Sequence, residues 1–297
     1  MKKNLSWAVG TVAVLVLSGC GETIDPAAEG LKVDAVLDEK TGAVILPYEQ
    51  FTLDPVEESL LTTARSVAAT VCAREKGVAF VAPTYVEQPI YLAETFFGPW
   101  TLWEAEKYGF VTPLPDADLR ANGLVPEGYG EPSKLNAAQQ AGNAELSEAD
   151  FRVMDECSRS EQAQKFSPST SGPWVDDIDS VQMSILEDEE IGAVLEELAT
   201  CYRRSGMGAH DEVPGWPAGA DAGVIDEQQI TLAVKTVQCK NELGSTQKLA
   251  DAWAEEQAPI LRRYASELVA QRAAIDSAVA EATTYLAEHP EVFEPPA

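Results

Sequence analysis

Residues 188–206, with the sequence DEEIGAVLEELATCYRRSG, are the stretch that decides the fold. Its apolar residues recur every three or four positions, which is the spacing of one face of an α-helix. They are Ile191, Val194, Leu195, Leu198, Cys201 and Tyr202. Acidic residues precede this face, where they favour the positive end of a helix dipole, and Gly206 ends it. The stretch therefore predicts an amphipathic helix packed against a helical core.

Similar helix signals occur on both sides of this stretch. Asp54 can cap a helix, Pro55 suits the first helical position, and Glu57 can complete a capping box. Residues 245–288 are dominated by Ala, Glu, Leu, Gln and Arg, which are strong helix formers. Within that segment, Pro259 is expected to kink or split the helix, because proline removes a backbone donor.

Strand signals are sparse and are limited to residues 43–46 and 78–81. Residues 111–135 and 207–224 are rich in proline and glycine and are predicted to form long surface loops. The predicted fold class is therefore mainly α: a disulfide-stapled helical bundle with long Pro/Gly-rich loops.

The N-terminus has the pattern of a secretion signal. Lys2 and Lys3 make it positive, and the segment from Trp7 to Leu17 is almost wholly apolar. Eleven residues are too few to cross a bilayer as a helix, but they fit the apolar region of a signal peptide. The following Leu-Ser-Gly-Cys ends at Cys20 and resembles the lipobox of bacterial lipoproteins. This resemblance implies that residues 1–19 are removed and that Cys20 carries the lipid.

The rest of the chain is divided by composition. Residues 20–45 are mixed, acidic and aperiodic, and they are predicted to be a lipidated flexible tether. Residues 46–297 are predicted to form a single mainly helical domain. Two acyl chains on one residue give stable membrane attachment. The expected location is therefore the cell membrane, with the protein lipid-anchored on its extracytoplasmic face.

Four cysteines follow the lipobox, namely Cys72, Cys157, Cys201 and Cys239. An even number in an exported chain predicts two disulfides, and three pairings are open. Sequential pairing, Cys72 with Cys157 and Cys201 with Cys239, is favoured because it staples neighbouring helices. No two of these cysteines form a C-x-x-C pair, so a zinc site or thioredoxin-like redox chemistry is not expected.

The formal net charge of the chain is −28. A surface this acidic repels phosphate backbones, so nucleic acid is not expected as a partner. It also repels anionic lipid headgroups, so the lipid on Cys20 and not a basic patch must hold the protein at the membrane.

The sequence offers no catalytic constellation. Only two histidines exist, His210 and His289, which makes a histidine-based triad or a multi-histidine metal site hard to build. The G-x-S-x-G, H-E-x-x-H and phosphate-binding glycine-loop motifs are also missing, and the S-x-x-K match at residues 245–248 lacks its partner motifs, so Ser245 is interpreted as a helix cap. We therefore predict a protein that is not an enzyme, with no cofactor and no metal site.

The segment from Tyr85 to Phe110 is unusually aromatic. Its aromatic residues are Tyr85, Tyr91, Phe96, Phe97, Trp100, Trp103, Tyr108 and Phe110. Two interpretations are open: a groove that stacks glycan rings or apolar groups, or a core patch that packs the segment onto the bundle. The candidate ligand-binding residues are Trp100, Trp103 and Tyr108.

Several short motifs resemble a group of actinobacterial extracellular lipoproteins with no assigned activity. The motifs are Leu46–Tyr48, Val71–Gly77, Glu104–Phe110, Cys201–Gly206 and Val234–Cys239. In that group cysteines lie near helix ends and glycine follows a few residues later. The chain departs from the pattern where Tyr202 replaces a common methionine. The resemblance implies an exported, disulfide-bonded lipoprotein, and it implies no reaction.

Together these features predict a membrane-anchored extracellular lipoprotein with a non-enzymatic binding or scaffolding role at the cell envelope. Its expected partners are the membrane, through the lipid on Cys20, and an envelope protein or cell-wall component. One alternative is a ligand-capture protein that serves a transporter, which would need a pocket of several hundred Å³. The other is a carboxylate-based cell-wall hydrolase, which would need two carboxylates in one cleft.

Overall fold

A computed structural model describes residues 26–83, 96–112 and 143–296 of the chain. These residues form a mainly helical fold with two disulfides, which confirms the predicted class. The helices are α1 (Pro55–Glu75), α2 (Leu102–Tyr108), α3 (Glu148–Ser158), α4 (Glu161–Gln164), α5 (Val175–Ser184), α6 (Glu189–Arg204), α7 (Glu227–Leu243), α8 (Ser245–Arg263) and α9 (Ala265–Glu288). Short 3₁₀ helices span Pro26–Gly30, Pro47–Phe51, Ile185–Glu187 and Pro290–Phe293. None of the helices in the described ranges is long and apolar enough to cross a membrane.

Helix α1 begins as the sequence predicts. Asp54 accepts a hydrogen bond from the backbone N–H of Glu57, whose side chain accepts one from the backbone N–H of Asp54 in return. The helix packs on α9 and α3, where small side chains such as Ala64 and Ala282 allow close approach. A disulfide joins Cys72 of α1 to Cys157 of α3.

The stretch at 188–206 forms α6, with Asp188 as its N-cap. Its apolar face packs on α8 and α7, and Ile191 and Leu198 are fully buried. The second disulfide joins Cys201 of α6 to Cys239 of α7. Both bridges therefore follow the favoured sequential pairing.

The predicted tether over residues 20–45 is wrong for the part that the structure describes. Strands β1 (Val36–Asp38) and β2 (Ala43–Ile45) pair as an antiparallel hairpin. Ala35 and Val44 are buried in the same core cluster as α6 and α8. The turn between the strands is closed by Asp38, which accepts a hydrogen bond from the Thr41 hydroxyl at 2.8 Å. The packed structure therefore begins before residue 46.

Two other local predictions need correction. Residues 78–81 form no strand; instead Asn143 accepts a hydrogen bond from the backbone N–H of Val81 and donates one to its carbonyl. Helix α8 continues through Pro259, and the chain breaks between helices at Tyr264. The Tyr264 N–H still donates to the carbonyl of Ile260, so the end of α8 is tied to its last turn.

Candidate ligand-binding pocket

The three predicted ligand-binding residues pack against other parts of the fold. Trp100 and Tyr108 are buried, and Trp103 is half-buried. The indole N–H groups of Trp100 and Trp103 donate to the carbonyls of Gly42 and Glu39, both at 2.9 Å. These tryptophans therefore hold the β1–β2 hairpin to the bundle, and none of the three residues lines the pocket described next.

A pocket of about 560 Å³ lies where the hairpin, the Pro47–Phe51 helix, α5, α8 and the loop at 213–216 meet. We call it the aromatic pocket. The described residues that line it are Val44, Leu46, Tyr48, Glu49, Phe96, Phe97, Ile178, Asp179, Gln182, Ile185, Leu186, Val213, Pro214, Trp216, Trp253 and Gln257. Its volume and its mostly apolar lining are those of a small-molecule site.

Aromatic side chains make one wall of the pocket. Phe96 lies edge-to-face with Phe97, with ring centroids 5.0 Å apart, and is stacked with Trp253 at 5.7 Å. Phe97 meets Trp253 edge-on at 6.3 Å. Trp216 lies against Phe110, with a centroid distance of 5.1 Å. These distances fall in the favourable range for aromatic pairs, so the wall is a packed unit.

The turn that carries Phe96 and Phe97 has an uncommon backbone. Phe97 has φ 52 and Gly98 has φ 87. A Cβ at Gly215 would lie 2.7 Å from the Cβ of Phe97, so glycine is needed for the loop at 213–216 to approach this turn. A non-glycine residue with positive φ is strained and persists where the surroundings hold it in place.

Lys240 of α7 supplies that support. Its ammonium nitrogen donates hydrogen bonds to the carbonyls of Phe96, Phe97 and Gly98, at 3.3, 2.7 and 2.9 Å. The lysine is 1% exposed, and its bonds to the Phe96 and Gly98 carbonyls are buried, while the bond to the Phe97 carbonyl is part-buried. We call this arrangement the lysine clamp. Its hydrogen bonds hold the backbone of the turn that carries Phe96 and Phe97, and they therefore fix the position of the aromatic wall.

The lysine clamp also has unusual electrostatics. Burial lowers the pKa of Lys240 to about 7, and the Glu104 carboxylate opposes that shift. Burial in turn raises the pKa of Glu104, while hydrogen bonds from Thr101 oppose the shift. Glu104 lies in the first turn of α2, whose cap is Thr101. The two groups therefore link α2 and α7 to the turn at 96–98.

The second disulfide lies next to these contacts in the chain. Cys239 precedes Lys240, and Cys201 precedes Tyr202. The Tyr202 hydroxyl donates to the carbonyl of Gly215 at 2.7 Å, and burial raises the pKa of this tyrosine. The Cys201–Cys239 disulfide is therefore adjacent in sequence to both Lys240, which holds the 96–98 turn, and Tyr202, which holds the 213–216 loop.

The described lining includes two acids and two amides. Glu49 accepts a hydrogen bond from the backbone N–H of Leu46 at 3.0 Å, and Gln257 accepts one from that of Tyr48 at 3.0 Å. Asp179 and Gln182 lie on the exposed side of α5. No lysine, arginine or histidine is among the lining residues that the structure describes.

The arrangement suits binding better than acid–base catalysis. Glu49 and Asp179 do share one cleft, as a carboxylate hydrolase would need, but both are exposed to solvent. A general acid at neutral pH needs an apolar surrounding that keeps its carboxyl protonated. Within the described ranges, no group of three or more His, Cys, Asp or Glu side chains is placed to hold a metal ion.

The pocket contains residues that the sequence did not single out. Trp216 and Trp253 are distant in sequence from the predicted aromatic segment, and Lys240 was not predicted at all. One signal for Lys240 existed: it lies three residues after Val237 and seven after Ala233, on the apolar face of α7. Cys20, Tyr85 and Tyr91 lie outside the described residues, as does most of the loop predicted at 111–135.

Comparison of the chain with protein-family models, with curated proteins and with solved structures finds no match. The function of this chain is therefore inferred from its own residues, above all from the aromatic pocket, its acidic rim and the lysine clamp.

Proposed function

We propose that this protein is a lipid-anchored, non-enzymatic binding protein of the cell envelope, which holds a small, largely apolar ligand in the aromatic pocket. The single observation that carries the proposal is the packed aromatic wall of a cavity of about 560 Å³. Such cavities are the usual form of small-molecule sites. Of the roles predicted from sequence, the cavity favours ligand capture over scaffolding alone.

The proposed compartment is supported by two independent features. The first is the lipobox-like segment that ends at Cys20. The second is the pair of disulfides, since such bonds persist in oxidising compartments outside the cytoplasm. A capture protein with a lipid anchor would keep its ligand close to the membrane, where a transporter could receive it.

Binding can be tested with N-phenylnaphthylamine, an uncharged probe whose fluorescence rises in apolar sites. Titration of the folded protein should give saturable binding. Trp253→Leu removes one aromatic ring of the wall and should weaken binding about two- to tenfold, because a stacked aromatic contact contributes roughly 0.5–1.5 kcal/mol beyond its buried area.

The matched control is Trp103→Leu. Trp103 is half-buried like Trp253 but lies outside the pocket lining, and it was one of the residues predicted to bind ligand. It should leave the probe affinity unchanged. Equal losses in both variants, or no saturable binding by the wild type, would contradict the assignment of the pocket.

The anchor is tested separately. Cells that express the protein are labelled with a radioactive fatty acid, and the wild type is compared with Cys20→Ala. Label should enter the wild type alone, and the variant should leave the membrane fraction. Equal labelling of both proteins would refute lipidation at Cys20, and would leave the pocket as a separate question.

A further inference from the structure

We propose that the ligand of the aromatic pocket is an organic ammonium compound, in which a positively charged nitrogen is joined to an apolar or aromatic body. This inference rests on the proposed function and adds the chemical class of the ligand. It follows from the charges and rings that line the cavity.

The ionisable side chains of the described lining carry one sign of charge. Glu49 and Asp179 are its ionisable acids, and no basic side chain accompanies them among the described lining residues. Asp179 forms no ion pair within the part of the chain that the structure describes, whereas nearby Asp177 is paired with Arg263 at 3.0 Å. Among its described residues, the pocket therefore presents negative charge to a ligand and offers no cation to receive an anion.

The aromatic wall favours the same charge. A ring carries negative potential on its face, so a cation placed within about 6 Å of the ring centre is attracted to it. Phe96, Phe97 and Trp253 lie together in this wall, and Trp216 adds a further indole to the lining. Carboxylates beside several rings form a site in which an ammonium group and an apolar body are both stabilised.

The lysine clamp does not oppose this arrangement. Lys240 contacts the backbone of the wall, but it is buried and its nitrogen is occupied by three carbonyls. It also interacts with the Glu104 carboxylate, which offsets its charge. On the scale of the whole molecule, the net charge of −28 raises the local concentration of cations.

The test uses three probes that share one ring system: naphthylmethylamine, naphthalenemethanol and naphthoate. At neutral pH they are a cation, a neutral molecule and an anion. Each is titrated against the full chain with N-phenylnaphthylamine already bound, at about 0.15 M salt to screen the general surface field. We expect the amine to displace the bound probe about tenfold more effectively than the alcohol, and the carboxylate to be the weakest.

Two variants locate the charge effect. Asp179→Asn and Glu49→Gln each remove one lining charge, and the amide oxygen introduced by Glu49→Gln can still accept the Leu46 N–H. Each variant should weaken the amine about two- to fivefold, the range for exposed ion pairs, and leave the alcohol unchanged. Glu267→Gln is the matched control, since Glu267 is an exposed acid outside the lining.

The outcomes separate this proposal from the proposed function. Equal displacement by all three probes, or equal effects of the pocket variants and Glu267→Gln, would overturn the ammonium assignment and leave the pocket in place. If N-phenylnaphthylamine binds but neither the amine, the alcohol nor the carboxylate displaces it, the ammonium assignment is likewise overturned and the pocket remains. Failure of N-phenylnaphthylamine itself to bind would overturn the proposed function and this inference with it.

Discussion

The two disulfides hold two regions of different construction. Cys72–Cys157 joins α1 to α3, in a region where α1 packs along α9 through small apolar side chains. Cys201–Cys239 joins α6 to α7, and the residues after each cysteine, Tyr202 and Lys240, donate to loop carbonyls. The first bridge supports regular helix packing, whereas the second supports irregular chain that lines a pocket. We infer that the first contributes mainly stability and the second contributes stability and function.

Removing the disulfides one at a time should give the largest effects and should separate these roles. A loop-closure model gives a loss of about 4.6 kcal/mol for Cys72→Ser/Cys157→Ser and about 3.9 kcal/mol for Cys201→Ser/Cys239→Ser, because the sequence separations are 85 and 38. Probe binding should show the opposite order, with the larger loss for the second pair. Denaturant unfolding and N-phenylnaphthylamine titration measure both quantities. If the variant that loses more stability also loses more probe affinity, the two regions do not differ in role.

Lys240→Met should cost about 4 kcal/mol at neutral pH, because it leaves the carbonyls of Phe96, Phe97 and Gly98 without their hydrogen-bond donor and the buried Glu104 side chain without the neighbouring lysine. The double variant Lys240→Met/Glu104→Gln should recover part of that loss, since it removes the uncompensated buried charge. Chemical unfolding of the two variants gives the comparison. A Lys240→Met protein as stable as the wild type, with unaltered probe affinity, would show that the clamp does not position the wall.

Gly215→Ala should cost about 3 kcal/mol. Gly215 has φ 78, which is strained for alanine, and the added Cβ would meet Phe97 at 2.7 Å. Gly77→Ala is the matched change in the other region: its φ is 85, and no atom lies within 4 Å of the point that an added Cβ would occupy. It should cost about 1–2 kcal/mol from backbone strain alone. If thermal unfolding shows equal losses of stability for Gly215→Ala and Gly77→Ala, the 213–216 loop can move away from the aromatic wall to accommodate the added Cβ.

The pH dependence of stability gives a smaller, signed effect. Lys240 has a pKa of about 7 in the folded chain and its ordinary value of 10.5 when unfolded. Between these values the unfolded chain binds a proton that the folded chain does not, so this group makes stability rise with pH. Relative to Lys240→Met, the wild type should gain about 2 kcal/mol between pH 7 and 9. A difference that falls as the pH rises would mean that the buried ammonium is the favoured form.

Trp100→Phe should have a small effect, about 1 kcal/mol, through loss of the buried hydrogen bond to the Gly42 carbonyl. Trp103→Phe loses an exposed bond of the same length and should cost less. Neither change should alter probe affinity, because both tryptophans hold the hairpin and lie outside the pocket lining. Weaker probe binding by either variant would indicate that these tryptophans contribute to the ligand site.

The regular parts of the fold were predictable because local signals determine them. The Asp54–Glu57 capping box and the apolar face of α6 are complete within one turn or a few turns of chain. Sequential disulfide pairing followed from the same local order. These features can be predicted without knowing which distant residues come into contact.

The pocket was not predictable in this way, because its parts meet only in three dimensions. Trp253 reaches Phe96 across 157 residues of chain, and Lys240 reaches the Phe97 carbonyl across 143. The sequence predicted the second strand of the hairpin at 43–46, but the first strand and the pairing were missed because the strands are three residues long and the hairpin is held by Trp100 and Trp103. In the aromatic segment, the two interpretations apply to different residues: Phe96 and Phe97 line the cavity, while Trp100 and Tyr108 pack in the core.

Fluorine NMR on protein labelled with fluorotryptophan tests the central claim most directly, because it reports on each indole separately. Titration with naphthylmethylamine should shift the resonances of Trp253 and Trp216, which line the pocket, and leave that of Trp174, which packs against Tyr264, unchanged. Single Trp→Phe variants assign the signals. Shifts of equal size at Trp174, or no shift at Trp253 with saturating ligand, would contradict the account.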